Sequence, residues 1–468
     1  MAIQSNKQPS QQEIQPLLNV LNAGQLANAA NIASSLMVKY PNTFILHNVL
    51  GIALDGLGQY EGAINSYRNA LKLQPNMPDL HFNLGIALSN VGQLTEATTS
   101  YRKAISLQPK FFEAYGNLGT ILQKQGKLEE AVASYRKALS INEDPRGHFN
   151  LGTALRDQGK LDEAIKSYRQ AIALFPNYAD AHSNLGETLR DQGNMQEAIA
   201  SYQNALALNP NHPSANYNMA EFLYLAKRYD EAIPHFERSQ LDDWLERSMY
   251  CLYKAERFDD FKKKLDEIVK AGPHTAPFLA TLSTHYAVNF GVEDPYNFCK
   301  NGFDFVYNAA IPELSEPNSP LLKALLNDIN NAEIAERVQG MLHNGKQSAG
   351  NLFKRPEASF RTLGELVKKE FMNYKNKFAR ADCELIQSFP EEFEFTSSWY
   401  VKMRQGGHLD AHIHEIGWIS GAVYLAMPSD KKTPTEGAFE YGIHGDAYPQ
   451  KHSNFPVGTV VPNVEIGR

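Results

Sequence analysis

Cysteines, long apolar runs and clusters of basic residues are what this 468-residue sequence has least of. Its three cysteines, Cys251, Cys299 and Cys383, are odd in number and far apart, which excludes a disulfide framework and a zinc-binding spacing. No apolar run approaches the roughly 18 residues of a membrane span, and the polar first residues lack the apolar core of a signal peptide. We therefore expect a cytoplasmic protein that does not enter a membrane.

The charge balance excludes one class of partner. There are 45 lysines and arginines against 52 aspartates and glutamates, a net charge of −7, and the basic residues form no long run. Nucleic-acid binding driven by overall charge needs the opposite balance. The hydrophobic fraction of 43% and the charged fraction of 21% are ordinary for a globular protein, and the length suffices for two or three domains.

A leucine-glycine pair recurs at a nearly constant spacing between residues 44 and 239. A sixth copy reads Met219-Ala220, and the successive steps are 34, 34, 33, 34 and 34 residues. Sixteen residues after each small residue comes an aromatic. The glycines are Gly51, Gly85, Gly119, Gly152 and Gly186, and the aromatics are Tyr67, Tyr101, Tyr135, Tyr168, Tyr202 and Phe236. A fixed period of this kind predicts a repeat array.

The recurring positions suit a pair of antiparallel helices in each repeat. The small residue would let the two helices approach, the aromatic would fill the gap to the next repeat, and prolines such as Pro75 and Pro109 would end the second helix. The pattern closely resembles the tetratricopeptide repeat. The resemblance implies an α-solenoid, which we predict over residues 1–273 with degenerate capping repeats, followed by a linker over residues 274–296.

Packing does not explain one column of asparagines. They stand directly before the Leu or Met of the recurring pair, at Asn83, Asn117, Asn150, Asn184 and Asn218. Asparagine is a mediocre helix former, so five in register predict a binding role. On the concave surface, each amide could donate to and accept from the main chain of an extended peptide. The alternative is a solvated helix face that tolerates asparagine. The column resembles the asparagine ladder of the O-linked N-acetylglucosamine transferases, which implies a protein or peptide partner.

Residues 297–468 differ in composition from the array, and one short stretch there carries four possible metal ligands. His408, Asp410, His412 and His414 are spaced two apart. In an extended strand all four would project from one face, where neighbouring members could share one ion. Two pairs stay open, His412 with His414, which we favour, and His408 with Asp410. A polar barrel lining without a metal is the remaining alternative.

A second resemblance covers this region. GNLF at residues 350–353, a helix, Trp399, and then GGHLDAHIHEIGWISGAVYLAMP and GAFEYG resemble the 2-oxoglutarate- and iron(II)-dependent oxygenases. The resemblance implies a double-stranded β-helix, a jelly-roll or cupin-like barrel with packed helices, and hence an α+β multidomain fold. It also implies iron(II) and 2-oxoglutarate as cofactors. His412 and His414 would be metal ligands, and Ser420 and Tyr424 would lie on a cofactor-binding strand.

Two residues of the oxygenase pattern have no counterpart in this sequence. A distal histidine and an arginine that binds the 2-oxoglutarate carboxylate would follow Pro462, whereas the sequence stops at Arg468. We therefore expect an incomplete domain with weak 2-oxoglutarate binding, because a desolvated dicarboxylate needs a paired cation. Two functions follow as alternatives. One is an oxygenase that hydroxylates a protein or peptide recruited by the repeats, and the other is a non-catalytic interaction scaffold.

Overall fold

The computed structural model describes residues 8–241, 243–299, 302–316, 318–331, 336–337, 342–348, 351–392, 394–395, 398, 401–409, 423, 425, 439–442, 448–451, 455 and 457–460. The chain forms two compact units, Met1–Met219 and Ala220–Arg468. No helix in the described ranges is long and apolar enough to cross a membrane.

The first unit is a succession of helix pairs, in which we name the first helix of a pair helix A and the second helix B. The pairs are α1 (Gln11–Asn22) with α2 (Leu26–Lys39), α3 (Phe44–Gly56) with α4 (Tyr60–Leu73), α5 (Pro78–Asn90) with α6 (Leu94–Leu107), α7 (Phe112–Lys124) with α8 (Leu128–Ile141), α9 (Pro145–Asp157) with α10 (Leu161–Leu174), and α11 (Ala179–Asp191) with α12 (Met195–Leu208). α13 (Pro213–Leu225) is the next helix A. The predicted helical repeat array is confirmed, with one helix pair in each sequence period.

The glycine of the recurring pair lets helix A touch helix B within one repeat. A Cβ built on Gly119 would lie 2.7 Å from Cε1 of Tyr135, and Tyr135 is only 1% exposed. The same contact, at 2.6 to 2.8 Å, recurs at Gly51, Gly85, Gly152 and Gly186. The ring packs on the glycine of its own repeat, because that position has no side chain to hold the helices apart. That the aromatic also fills the gap to the next repeat stays a prediction.

A second glycine fixes the turn between the two helices. Gly58, Gly92, Gly126, Gly159 and Gly193 all have φ between 73° and 88°. This left-handed backbone conformation is the one that glycine adopts without steric cost. The turn is therefore the same in successive repeats, and helix B always begins at the same distance from the end of helix A.

Ion pairs link the B helices of successive repeats from α4 to α12. Each pair joins an arginine to a glutamate 27 or 28 residues later at 2.6 to 2.8 Å, namely Arg68–Glu96, Arg102–Glu130, Arg136–Glu163 and Arg169–Glu197. All eight side chains are largely exposed, so that each pair contributes little to stability on its own. Their regular recurrence follows from the constant spacing of neighbouring repeats.

The second unit continues with helices and adds short strands. Its helices are α14 (Tyr229–Ser239), α15 (Trp244–Lys254), α16 (Phe258–Ala271), α17 (Pro277–Phe290), α18 (Pro312–Ser315), α19 (Pro320–Asn331), α20 (Ala358–Lys377) and α21 (Glu384–Gln387), with 3-10 turns at Gly302–Phe305 and Leu352–Lys354. α17 lies within residues 274–296, which we predicted as a linker, and nine of its residues are buried. The domain limits at residues 273 and 297 stay a prediction.

The strands form two small antiparallel sheets. β1 (Glu336–Arg337), β2 (Leu342–Ser348) and β3 (Val401–Leu409) pair in that order, and β4 (Phe439–Gly442) pairs with β5 (Val457–Val460). The register of β2 and β3 sets His343 opposite His408, with an irregularity between His343 and Gly345. The double-stranded β-helix stays a prediction, because most of residues 410–468 lie outside the described ranges.

Candidate functional sites

Every asparagine of the column occupies the same place in its helix. Each one is the sixth residue of a helix A, from α5 to α13. Four are half-buried, namely Asn83, Asn117, Asn150 and Asn184. The asparagines therefore take equal positions in equivalent helices. That they form one peptide-binding surface stays a prediction.

Two of these amides reach the buried tyrosine of the preceding repeat. Burial raises the pKa of Tyr101, and a hydrogen bond with Asn117 acts in the opposite direction. The pKa of Tyr168 is likewise raised by burial, against hydrogen bonds with Thr153 and Asn184. These amides therefore lie at the junction of successive repeats, where they can fix the tyrosine hydroxyl and also contact a ligand.

Asn218 differs from the other members of the column. Its Oδ1 accepts a hydrogen bond from Nη1 of Arg190 at 2.5 Å, and its Nδ2 donates to Oε1 of Glu187 at 3.1 Å and to the carbonyl of Ser214 at 2.9 Å. Asn218 is only 9% exposed. An amide offers two donors and one acceptor oxygen, so the chain itself uses most of the capacity of Asn218. Asn218 is therefore the member of the column that is least able to bind a peptide.

Charged side chains connect one helix A to the next on the same part of the repeats. Arg156 of α9 donates to Glu187 at 2.6 Å and to Asp191 at 3.0 Å, both on α11. Burial opposes the charge of Arg156, yet the two carboxylates outweigh burial and hold its pKa above the ordinary value. One repeat earlier, Gln123 donates to Asp157 at 2.6 Å. Arg156 and Glu187 are partly buried in this network, unlike the exposed ion pairs between the B helices.

Our sequence analysis missed this network, although the repeat period carries a signal for it. Gln123, Arg156 and Arg190 each stand six residues after an asparagine of the column. Asp157 and Asp191 directly follow the two arginines. A search for polar residues that recur every 33 or 34 positions would have found them. Their partners are not visible from the period alone, because each contact joins two different repeats.

Replacing Arg156 by alanine should destabilise the first unit by about 1–3 kcal/mol, because it leaves Glu187 and Asp191 half-buried without their cation. Urea denaturation followed by circular dichroism measures the change. The matched control is Arg169→Ala, which removes an exposed pair at 2.8 Å to Glu197 and should cost less than about 1 kcal/mol. Equal losses in the two variants would contradict the distinction between the network and the exposed pairs.

The predicted metal and cofactor residues lie almost entirely outside the described ranges. Asp410, His412, His414, Ser420 and Tyr424 are not described. His408 is in β3 at the position opposite His343, a histidine that the sequence analysis did not single out. Among the residues that the structure does describe, no group of three or more His, Cys, Asp or Glu residues is placed to hold a metal ion. The choice between the two ligand pairs stays a prediction.

Comparison with protein families supports both sequence resemblances. Tetratricopeptide repeat families match residues 56–92, 91–126 and 152–193, residues 112–145, and residues 189–243. The N-terminal region is therefore an array of tetratricopeptide repeats, as predicted. A family described as "Putative 2OG-Fe(II) oxygenase" matches residues 397–467. This match spans all four candidate metal ligands and confirms the second resemblance.

Several solved structures are similar to part of this chain. A crystal structure of MamA has 25% identity and a TM-score of 0.34 over 34% of this chain and 95% of that one. YrrB, described as a tetratricopeptide repeat protein with an unusual peptide-binding site, has 24% identity and a TM-score of 0.36 over 40% and 96%. PilF of Pseudomonas aeruginosa has 24% identity and a TM-score of 0.37 over 42% and 92%. No curated protein matches the chain.

Proposed function

We propose that this chain is a 2-oxoglutarate- and iron(II)-dependent oxygenase that hydroxylates a protein or peptide recruited by its tetratricopeptide repeats. The observation that carries the proposal is the oxygenase match at residues 397–467 in the same chain as the repeat matches. Helical repeats present extended surfaces that bind other proteins, and an oxygenase that acts on proteins needs such a surface to select its substrate.

The donor set of residues 408–414 fits iron(II). Imidazole and carboxylate are the ligands that non-haem iron(II) takes in oxygenases, with open positions left for the cofactor and oxygen. We assign His412 and His414 as the donors and keep His408 with Asp410 as the alternative pair. Iron(II) with 2-oxoglutarate supplies the oxidising chemistry when bound. Ser420 and Tyr424 would orient the 2-oxoglutarate through their hydroxyl groups.

A titration of the full chain with manganese(II), a redox-stable surrogate for iron(II), tests the metal site. The H412A/H414A variant should lose binding in calorimetry, because both imidazole donors are gone. The H408A/D410A variant is the matched control and should bind within a few-fold of the wild type. Loss in the control alone would move the site to His408 and Asp410, and unchanged binding in both variants would end the proposal.

For the repeats, we propose that Asn83, Asn117, Asn150 and Asn184 hold the main chain of an extended substrate peptide on the concave surface. Support comes from their common position in helix A and their half-buried amides. Asn218 belongs to the column in sequence but is engaged by Arg190 and Glu187. A non-catalytic scaffold would bind the same peptide and release no succinate from 2-oxoglutarate, which distinguishes the two functions.

We also propose that the protein is located in the cytoplasm. Cys251, Cys299 and Cys383 are all free thiols. Burial raises the pKa of Cys251 and Cys299 to about 12. Thiols in this state stay protonated at neutral pH and react slowly with oxidants. The cysteines therefore suit a reducing compartment, where no disulfide is needed for stability.

A further inference from the structure

In the second unit, residues 448–451 lie against α15 and α17. Tyr448 is the anchor of this segment and is only 7% exposed. Its ring stacks on His285 of α17 with centroids 4.9 Å apart. The rings of Tyr250 and Tyr253 of α15 meet it edge-on, at 5.8 and 6.0 Å. An aromatic side chain thus fills a pocket whose walls are three other rings, which is a favourable arrangement for one buried ring.

Asn289 of α17 holds the main chain next to this anchor. Its Nδ2 donates to the carbonyl of Pro449 at 3.1 Å, and its Oδ1 accepts from the backbone N–H of Lys451 at 2.6 Å. The amide therefore spans both sides of Gln450, whose side chain is exposed. These two bonds are the ones that the backbone of a neighbouring parallel strand would make. Asn289 consequently recognises an extended main chain whatever side chain stands between the two bonds.

Lys451 supplies the third contact. Its Nζ lies 3.8 Å from Oε2 of Glu256 and 4.9 Å from the centre of the Phe258 ring. A carboxylate and an aromatic face together favour a cation over a neutral side chain. The surface therefore distinguishes a ligand by two features, an aromatic side chain at its first position and a cation at its fourth.

The position of Asn289 relates this surface to the repeats. Asn289 is the thirteenth residue of α17, as Asp157 and Asp191 are the thirteenth residues of their A helices. The asparagine column occupies the sixth position. Seven residues make about two helical turns, so the sixth and thirteenth positions share one helix face. Asn289 thus uses the face of α17 that corresponds to the polar face of the earlier A helices.

We propose that this face of α15 and α17 is a binding site for an extended segment of a partner protein in which an aromatic residue precedes a lysine by three positions. Residues 448–451 are the chain's own occupant of the site and compete with the partner segment. The site uses none of the candidate metal ligands and none of the asparagines of the column, so its failure in a test would leave the proposed function untouched.

The test uses a fluorescent synthetic peptide with the sequence of residues 446–456 and the full-length chain. Tyr448→Ala should weaken the chain's own occupant, so that the labelled peptide binds this variant at least about tenfold more tightly than the wild type in fluorescence anisotropy. Adding N289A to the same variant should abolish most of that gain, because the main-chain bonds are lost. A peptide with alanine in place of its tyrosine serves as the negative control. Equal affinity for all three proteins, or no binding to Tyr448→Ala, would overturn the proposal.

A second measurement needs no variant and covers the case in which Tyr448→Ala fails to fold. The backbone N–H of Lys451 is protected from hydrogen exchange by its bond to Asn289. Excess unlabelled peptide should displace the segment from the wild-type chain and raise the exchange rate at Lys451 at least about fivefold, while amides in α7 keep their rates. An unchanged rate at Lys451 up to millimolar peptide would count against an exchangeable occupant.

Discussion

Replacing Tyr135 by alanine will lower the free energy of unfolding of the first unit by about 3–5 kcal/mol, the usual cost of removing a buried aromatic side chain. Tyr135 is 1% exposed, lies over Gly119, and donates a hydrogen bond to Thr120 at 3.1 Å. Urea denaturation measures the loss, and Phe175→Ala, at a ring that is 48% exposed, should change stability far less.

A substitution at Gly119, the glycine beneath the ring, tests the contact with Tyr135 directly. Gly119→Ala alone should cost about 1–3 kcal/mol, because the added Cβ would lie 2.7 Å from the Tyr135 ring. In the Tyr135→Ala background the same substitution should be neutral or stabilising, since the space is then open and alanine is the better helix former by about 1 kcal/mol. The effect of Gly119→Ala on stability thus changes sign when the Tyr135 ring is absent. Simple addition of the two losses in the double variant would contradict the contact.

The second large effect concerns peptide binding. The N117A/N150A/N184A variant of the full chain should bind an extended peptide about 10-fold to 1000-fold more weakly than the wild type. Each main-chain hydrogen bond contributes about 0.5–1.5 kcal/mol, and the three losses add across separate repeats. A peptide selected on the wild-type chain from an immobilised library serves as the probe, and fluorescence anisotropy gives the two affinities. Asn65→Ala, at an exposed position of helix B, is the matched control and should leave binding unchanged.

The thermal stability of the same variant separates binding from packing. Alanine is the better helix former by up to about 0.7 kcal/mol at each site, whereas the hydrogen bonds to Tyr101 and Tyr168 are lost. These contributions oppose each other, so the melting temperature should stay within a few degrees of the wild type. A large fall in melting temperature together with the loss of binding would show that the asparagines serve packing alone. Unchanged peptide affinity in the triple variant would show that the asparagines lie on a solvated helix face and have no binding role.

The repeat period predicted most of the first unit, and the reason is physical. Each repeat makes the same local contacts, so Gly119 and Tyr135 are recognisable from their spacing before their contact is known. The hydrogen-bond partner of an asparagine, in contrast, cannot be predicted from the repeat period. Asn117 bonds the tyrosine of the repeat before it, while Asn218 bonds Arg190 and Glu187. Equal positions in the sequence therefore carry different bonds, because neighbouring repeats differ in their side chains.

Contacts between distant segments were beyond the reach of the sequence pattern. Asn289 and Lys451 are 162 residues apart and share no periodicity. His343 and His408 come together only through the pairing of β2 and β3. The spacing of His408, Asp410, His412 and His414 predicted a common strand face, and β3 contains the first of them. That the other three residues lie in the same strand stays a prediction.

The arginine-glutamate pairs between successive B helices bear on how the array can gain or lose repeats during evolution. Each of the middle repeats carries both halves of the same contact, a glutamate toward the repeat before and an arginine toward the repeat after. Removal of one whole repeat would bring Arg102 to Glu163 in place of Glu130, and duplication of a repeat would create one further pair of the same kind. Recombination between copies therefore keeps these exposed pairs matched when the array lengthens or shortens by whole repeats.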